Sequence, residues 1–375
     1  MAGVYVHLPF CPYICPYCDF AKWPHRASLA KTYLRALEME IANRAQLAAA
    51  DTLFLGGGTP NTYAREDLQA LVARLREHFS LGTDAEVTIE VNPELVRTED
   101  FTAYRSAGIT RLSIGVQSFD PSEIVTLGRR HTPLQVADVV EAGRMAQMRS
   151  ISLDLIFGTP GQTLESWRRS LHRAIKLGVD HISTYGLTLE DGTPYAIWRE
   201  REPEAFADNG LEADLYAAAI DDLTAAGFEH YEISNFGKPR HRSRHNSNYW
   251  ENGDYVGLGV GAASYVDGVR SVHTRELATY VAAALAGTDP TEHSERLEGA
   301  RRVGEAIMLA LRTAQGVSRV RFKERYGLDV LQSYKSVAEK FAEADLLEVD
   351  DAGFRLTRRG RFLANDVCAA FISAA

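Results

Sequence analysis

Strand-like and helix-like segments alternate through the first half of this 375-residue chain, and this alternation restricts the fold more than any other feature. Six apolar, strand-like runs begin near residues 4, 52, 86, 111, 151 and 181, with helical patterns between them. Strands that alternate with helices form parallel sheets, because each crossover between parallel strands needs about a dozen residues or more. The sequence therefore predicts a doubly wound sheet or a full or partial barrel.

Four of these predicted strands end in glycine or polar residues. The segments are GGGTP from Gly56, EVNPE from Glu90, GVQSF from Gly115 and DLIFGTPG from Asp154. Gly and Pro also end strands in ordinary turns, so one such segment would carry little information. Four together favour a functional site, because the carboxyl edge of a parallel sheet or barrel is where active sites form.

Composition excludes several classes of protein. Hydrophobic residues make up 45% and charged residues 24% of the chain, which is typical of a folded globular protein. The net charge of -9 disfavours a nucleic-acid partner, which needs clustered basic residues. We find no apolar run long enough to span a membrane and no signal peptide, so we expect a cytoplasmic protein. A monomer and a dimer both stay open.

The C-terminal part of the chain has a different pattern, and we predict two domains, residues 1–290 and 291–375. Three helical segments precede a predicted hairpin with its turn near Ala352 and Gly353, followed by a further helix. This order resembles a winged-helix-like unit. Since nothing else in the acidic chain supports DNA binding, we interpret it as a small, mainly helical capping domain.

Three cysteines lie within eight residues of one another, directly after the first predicted strand. Cys11, Cys15 and Cys18 form C-x3-C-x2-C in a proline-containing segment that favours a loop over a helix. Three thiolates suit a [4Fe–4S] cluster with one iron left open. A Cys3His zinc site completed by His7 or His25 and a redox C-x2-C pair are the alternatives.

This cysteine spacing after a first strand resembles the signature of the radical S-adenosylmethionine superfamily. The resemblance implies a [4Fe–4S] cluster whose open iron binds the methionine part of S-adenosylmethionine. It also implies roles for Glu90 near the amino group, Arg129 near the carboxylate and Asp154 near the ribose. The full set of matching cofactor positions is Tyr5, Phe20, Gly57, Gly58, Thr59, Glu90, Gln117, Arg129, Asp154 and Ile156.

Within that superfamily, YVHLPFCPYICPYCDF, GGGTP, GVQSF and DLIFGTPGQT resemble the oxygen-independent coproporphyrinogen III oxidase family. The likeness covers nearly the whole chain and implies a partial (β/α)6 barrel. Three features resemble its HemW branch of heme chaperones instead of the true oxidases. Phe20 stands where the oxidases carry a further cysteine, residues 245–250 read H-N-x-x-Y-W, and the first strand begins close to Met1.

The H-N-x-x-Y-W motif supplies a predicted heme site. Imidazole is a common ligand of heme iron, so His245 is the predicted axial ligand, with His241 and His273 as rivals. Tyr249 and Trp250 are predicted to stack on the porphyrin, supported by Asn246. The basic residues expected to pair with heme propionates are Lys238, Arg240, Arg242 and Arg244.

These observations leave three functional hypotheses. The favoured one is a heme chaperone that keeps a cluster and an S-adenosylmethionine site and passes heme to an acceptor protein, with respiratory cytochromes as the expected class. The second is oxidative decarboxylation of coproporphyrinogen propionates in porphyrin biosynthesis. The third is radical chemistry on another tetrapyrrole. A cofactor site does not by itself show turnover, so the sequence leaves enzyme activity undecided.

Overall fold

A computed structural model describes residues 1–44 and 49–373, and six parallel strands form its centre. The strands are β1 (Ala2–Leu8), β2 (Thr52–Gly57), β3 (Glu86–Val91), β4 (Arg111–Gln117), β5 (Ser150–Phe157) and β6 (His181–Gly186). Each pairs with the next in parallel register. All six agree with the strands predicted from the sequence.

Helices connect these strands. They are α1 (Ala27–Asn43), α2 (Arg65–His78), α3 (Thr98–Ser106), α4 (Pro121–Thr126), α5 (Pro133–Met145) and α6 (Leu164–Lys176). Capping boxes at Thr132 and Thr163 start α5 and α6, where each hydroxyl accepts from a backbone N–H of the first turn. The sequence pattern predicts that α1 runs to Leu47, but residues 45–47 lie outside the described part of the chain.

The two faces of the central strands differ in polarity. Leu112, Ile114 and Val116 of β4 are fully buried in the main hydrophobic core, as are the corresponding residues of β3 and β5. The alternate positions of β4 carry Arg111, Ser113, Gly115 and Gln117. Because side chains of a strand alternate between faces, one face packs on the helices while the other presents polar groups to the barrel interior.

Further strands extend both edges of the sheet. They are β7 (Glu229–His230), β8 (Asn235–Gly237), β9 (Asp254–Leu258), β10 (Ala263–Val266), β11 (Val269–His273) and β12 (Thr291–Arg296). The order is β12-β11-β10-β9-β1-β2-β3-β4-β5-β6-β8-β7, with β9 parallel to β1. Since β6 does not pair with β1, the barrel stays open, and the predicted partial (β/α)6 barrel is confirmed.

The second half of the barrel region contributes four helices, α7 (Pro194–Arg201), α8 (Asn209–Ala225), α9 (Arg244–Trp250) and α10 (Leu277–Leu285). Short 3-10 turns cover Pro60–Thr62, Pro93–Leu95 and Pro203–Ala205, and a short bridge pairs Phe10–Cys11 with Trp23–Pro24. The polar segment 237–250, interpreted from sequence as a loop, contains α9. Ser243 caps this helix, and the Glu86 carboxylate accepts from the N–H groups of Arg244 and His245.

The C-terminal part has its own hydrophobic core, from Val303 to Phe371. Its helices are α11 (Gly299–Leu311), α12 (Arg319–Tyr326), α13 (Val330–Ser333), α14 (Lys335–Glu343), α15 (Arg358–Phe362) and α16 (Ala364–Ser373). Its three-stranded sheet contains β13 (Val317–Ser318), β14 (Leu347–Asp350) and β15 (Gly353–Leu356). The hairpin β14–β15 turns at the predicted position. The domain boundary near residue 290 stays a prediction.

Across residues 1–44 and 49–373, none of the helices combines the length and the apolar character that a membrane span requires.

Candidate functional site

A cavity of about 490 Å³ lies inside the barrel, between the cysteine loop and the inner face of β2–β6. It reaches from the carboxyl ends of these strands to the amino ends of β4 and β6. It also touches the start of α9. The residues that line this cavity include Cys11, Cys15, Cys18, Phe20, Gly57, Gly58, Thr59, Glu90, Arg111, Gln117, Arg129, Ser152, Asp154, Ile156, His181, Ser243 and Asn246.

Backbone hydrogen bonds hold the cysteine loop against the end of β1. Trp23 N–H donates to Pro9 O at 2.9 Å, and His25 N–H donates to Cys11 O at 2.8 Å. Within the loop, Cys18 N–H donates to Cys15 O at 3.2 Å. The three cysteines are half-buried free thiols that all border the cavity. That they hold one cluster stays a prediction.

Hydrogen bonds from Tyr5 through His7 connect β1 to the residues that follow the cysteine loop. His7 Nε2 lies 2.6 Å from Ala21 O, and its Nδ1 lies 2.9 Å from the Tyr5 hydroxyl. A carbonyl only accepts, so Nε2 carries the proton and Nδ1 accepts from Tyr5. Tyr5, predicted to contact the cofactor, is not among the residues that line the cavity. His7, the alternative zinc ligand, uses both ring nitrogens within the protein.

The thiols are poorly suited to ionise by themselves. Burial, together with the neighbouring Cys18 and Cys15, raises the pKa of Cys11 to about 11, and burial also raises the pKa of Cys18. A cationic iron core would offset this penalty, because metal binding deprotonates a coordinating thiol. Among the described residues, no three His, Cys, Asp or Glu side chains converge on a single-ion site.

The glycines after β2 are required by close packing. A Cβ at Gly56 would lie 2.7 Å from Glu90 Oε2, and one at Gly58 would lie 2.6 Å from Leu8 O. At Gly57, φ is +100°, and a Cβ would lie 2.3 Å from the His7 ring. Only glycine allows this approach and this conformation. The motif therefore brings β2, Glu90 and the cysteine loop together.

Glu90 and Asp154 place two enclosed carboxyl groups beside the cavity. Glu90 accepts from Gly57 N–H at 3.0 Å, and Asp154 Oδ2 accepts from the Ser113 hydroxyl at 2.8 Å. Burial, with a contribution from Asp154, raises the pKa of Glu90 to about 8, and burial raises that of Asp154. Asp154 Oδ1 has no hydrogen-bond partner in the described structure. Such a pair suits a ligand that brings a cation and hydroxyl donors.

Arg129 lies at the cysteine end of the cavity. Its Nη2 donates to Asn92 Oδ1 and to Gly115 O, both at 2.7 Å, and Nη1 lies 3.9 Å from Cys15 Sγ. Its Nε is buried without a partner, and it forms no ion pair within the described residues. A buried guanidinium with neutral partners suits a ligand carboxylate.

Three other predicted contacts also border the cavity. Gln117 has φ of +65° at a register shift between β4 and β5, and this bulge directs its side chain inward. Ile156 supplies an apolar wall. Phe20 lies at the mouth with 62% of its surface exposed.

Sequence reasoning missed the deep end of the cavity. Arg111, Ser152 and His181 line it, and Ser243 and Asn246 close it from the α9 side. The period-two alternation of polar residues along β4, β5 and β6 was the available signal, since it places these side chains on one face.

The structure places His245 away from any open space. The ring is 1% exposed and stacks on Phe54, with centroids 5.2 Å apart. Nδ1 lies 2.8 Å from Thr52 Oγ1, and Nε2 lies 2.8 Å from the Tyr249 hydroxyl. Burial lowers the pKa of His245 to about 3, so the ring is neutral. Heme ligation by His245 stays a prediction, and this environment does not fit it.

The rest of the heme motif is divided among three places. Tyr249 is bound to His245, Asn246 borders the barrel cavity, and Trp250 lines a second cavity of about 460 Å³ beside α12. Of the rival ligands, His273 is fully buried, with Nδ1 2.9 Å from Gly259 O. His241 is half-buried, and its ring has no hydrogen bond in the described part of the chain.

Comparisons with known proteins agree with this architecture. The Radical SAM superfamily model matches residues 5–174, and the HemN C-terminal domain model matches residues 298–363. A protein named heme chaperone HemW from Bacillus subtilis is 34% identical, covering 99% of both chains. The protein of that name from Escherichia coli is 33% identical, covering 99% of this chain and 98% of its own. The chain belongs to the HemW family.

A solved structure shows that the HemW fold described above is shared with a related enzyme. Coproporphyrinogen III oxidase (HemN) from Escherichia coli, described as a radical SAM enzyme, has a TM-score of 0.85 with this chain. It is 24% identical, and the match covers 100% of this chain and 90% of the other. At this identity the likeness establishes the fold, including the separate C-terminal helical region. It does not establish the reaction.

Proposed function

We propose that this protein is a heme chaperone that binds heme, carries a [4Fe–4S] cluster with S-adenosylmethionine, and transfers heme to an acceptor protein. The observation that carries the proposal is full-length similarity to several proteins named heme chaperone HemW, at 28–36% identity. The cavity supports its cofactor part, because its enclosed carboxyl groups and guanidinium match the ammonium, hydroxyl and carboxylate groups of S-adenosylmethionine.

The cofactor part assigns a role to each group in the cavity. Cys11, Cys15 and Cys18 would hold the cluster through three thiolates. The remaining assignments are Glu90 to the ammonium, Arg129 to the carboxylate, Asp154 to the ribose, Gly57 and Gly58 to close backbone approach, and Ile156 to the adenine. When bound, the cluster and cofactor supply one-electron chemistry.

The heme part needs an axial ligand, and His241 is the better candidate of the three histidines. Its imidazole is half-buried and makes no hydrogen bond within the described structure, whereas both ring nitrogens of His245 are occupied. Arg240 is its neighbour in the same exposed loop and is available to pair with a propionate. Ligation through His245 would require α9 to release Thr52 and Tyr249.

A heme titration tests this proposal. The anaerobically purified protein should bind heme with a defined Soret band and pass it to apomyoglobin, used as the probe acceptor. His241→Ala should shift or weaken the Soret band. His293→Ala, which removes an exposed imidazole on β12, should leave the band unchanged. Absence of heme binding, or binding without transfer, would refute the chaperone assignment.

Turnover of coproporphyrinogen III is the complementary measurement. Cluster-loaded protein with S-adenosylmethionine and a strong reductant should form no decarboxylated porphyrinogen above a cluster-free control. If product forms, the protein is an oxidase despite Phe20. If a Soret change follows His245→Ala but not His241→Ala in folded protein, the iron ligand is His245.

A further inference from the structure

The charged side chains of the central strands, together with Arg129, line the barrel cavity at three levels. Arg129 lies at the cysteine end, Glu90 and Asp154 lie in the middle, and Arg111 lies at the deep end. The proposed function uses the first three for one zwitterionic cofactor. Arg111 then remains as a buried cation with no assigned partner.

Arg111 is unusual because its charge is buried without an ion pair to any residue that the structure describes. The residue is 3% exposed, and Nη1 donates to Ser150 Oγ at 2.8 Å and to His241 O at 3.1 Å. Both acceptors are neutral, and no carboxylate of the described residues pairs with it. Asp154 is close enough for Arg111 to lower its pKa, but the two do not form an ion pair. A buried charge without an opposite charge is costly, so such sites commonly receive one from a ligand.

The groups around Arg111 are neutral and able to donate hydrogen bonds. Ser152 Oγ lies 2.7 Å from His181 Nδ1, and His181 Nε2 lies 2.8 Å from the Tyr231 hydroxyl. Tyr231 already accepts from Ser243 N–H at 3.1 Å, so its own proton is available for His181 Nε2. His181 Nδ1–H then donates to Ser152, whose hydroxyl proton is left for the cavity.

We propose that the deep end of the cavity is an anion subsite, formed by Arg111, Ser152 and Asn246 with His181 orienting Ser152, that binds the carboxylate of a second ligand. This inference rests on the proposed function in one respect, namely that S-adenosylmethionine occupies Arg129. It goes beyond that function, because the proposed function assigns no ligand group to Arg111 and no second anion to the barrel interior.

Binding of 3,3,3-trifluoropropionate, followed by 19F NMR, tests the subsite. The protein is the full chain with its cluster and saturating S-adenosylmethionine, so that Arg129 is occupied. We expect saturable binding of one carboxylate per chain and much weaker binding of the neutral 3,3,3-trifluoropropanamide. S-adenosylmethionine binding is measured separately, so failure of the cofactor site is distinguished from failure of the subsite.

Two variants locate the bound carboxylate. Arg111→Gln removes the cation, and Asn246→Asp adds a negative charge at the third residue of α9, where an acidic side chain suits the helix. Each should weaken binding about tenfold or more, as expected for a lost charged hydrogen bond or an added repulsion. Arg74→Gln removes an exposed cation on α2 and should leave binding within about twofold.

Several results would overturn the subsite. They are equal binding of acid and amide, no saturable binding to the wild type, and unchanged binding in folded Asn246→Asp. If Arg111→Gln fails to fold, Asn246→Asp alone decides, because Asn246 makes no side-chain hydrogen bond in the described structure. Weakening by Arg74→Gln to the same extent would show nonspecific binding to surface charge.

Discussion

The cysteine loop and helix α9 both carry a motif that the sequence associates with a ligand, yet their surroundings are opposite. The loop places three half-buried thiols along a cavity of about 490 Å³, where Asp154 Oδ1 and Arg129 Nε have no hydrogen-bond partner among the described residues. Helix α9 buries His245 among Thr52, Phe54 and Tyr249, with both ring nitrogens bonded. The first region leaves polar groups for a ligand to satisfy, whereas the second satisfies both ring nitrogens of its histidine.

A sequence motif can therefore either form a binding site or stabilise the packing of the fold. Buried polar groups without partners are costly unless a ligand pairs with them, so the cavity side is arranged for binding. A histidine with two good hydrogen bonds and a stacked ring contributes to packing, and here it attaches α9 to β2. The same reasoning assigns a structural role to His7, which joins Tyr5 to the cysteine loop.

The largest expected effect is on the cluster. Cys15→Ala should abolish the broad iron–sulfur absorbance of anaerobically purified protein, because three thiolates are the minimum set for the proposed ligation. Cys368→Ala removes the buried C-terminal thiol in a separate core and should keep the absorbance. A cluster that survives in Cys15→Ala would contradict the three-thiolate site. The cysteine loop could then no longer be contrasted with α9 as a ligand-binding motif.

A smaller effect is expected on stability when His245 is removed. His245→Ala should lower the free energy of unfolding by about 2–4 kcal/mol, because it leaves a cavity and two unpaired hydroxyl groups. Urea denaturation measures the change. The exposed-site variant His293→Ala should stay within about 0.5 kcal/mol of the wild type. If His245→Ala is as stable as wild type, the structural interpretation of α9 is wrong.

The smallest expected effect is on the pH dependence of the free energy of unfolding. The pKa of Glu90 is raised to about 8, so its neutral form favours the folded protein, and this stability is lost as pH rises through 8. For cofactor-free protein, Glu90→Gln should reduce the fall in unfolding free energy between pH 6 and pH 8, by up to about 1.4 kcal/mol per pH unit. Urea denaturation at several pH values measures the slope.

Glu141→Gln is the matched control for that slope, since Glu141 is exposed on α5. It should keep the wild-type pH dependence. An identical slope in Glu90→Gln and wild type would show that Glu90 is ionised without a ligand. In that case Glu90 would not need a ligand cation in order to ionise, and the contrast between the cavity and α9 would be weaker.

Much of the architecture was predictable from local pattern. The six central strands follow from apolar runs separated by helical segments, and the hairpin β14–β15 follows from its turn residues. The cysteine, glycine and acidic motifs lie at the carboxyl ends of strands, so the parallel sheet brings them together. Gln117 shows the limit of this reasoning, because its orientation depends on a bulge between β4 and β5.

The sequence by itself determined the order of strands and helices, the loop with its three thiols and the polar face of the barrel strands. These are properties of local spacing, turn chemistry and side-chain alternation. Only the tertiary structure decided that His245 is enclosed and that Tyr5 supports His7. It also decided that Arg111 lies at the end of the cavity with no carboxylate partner in the described part of the chain. Burial and hydrogen bonding depend on which distant segments pack together, and the spacing of residues within one segment does not encode that.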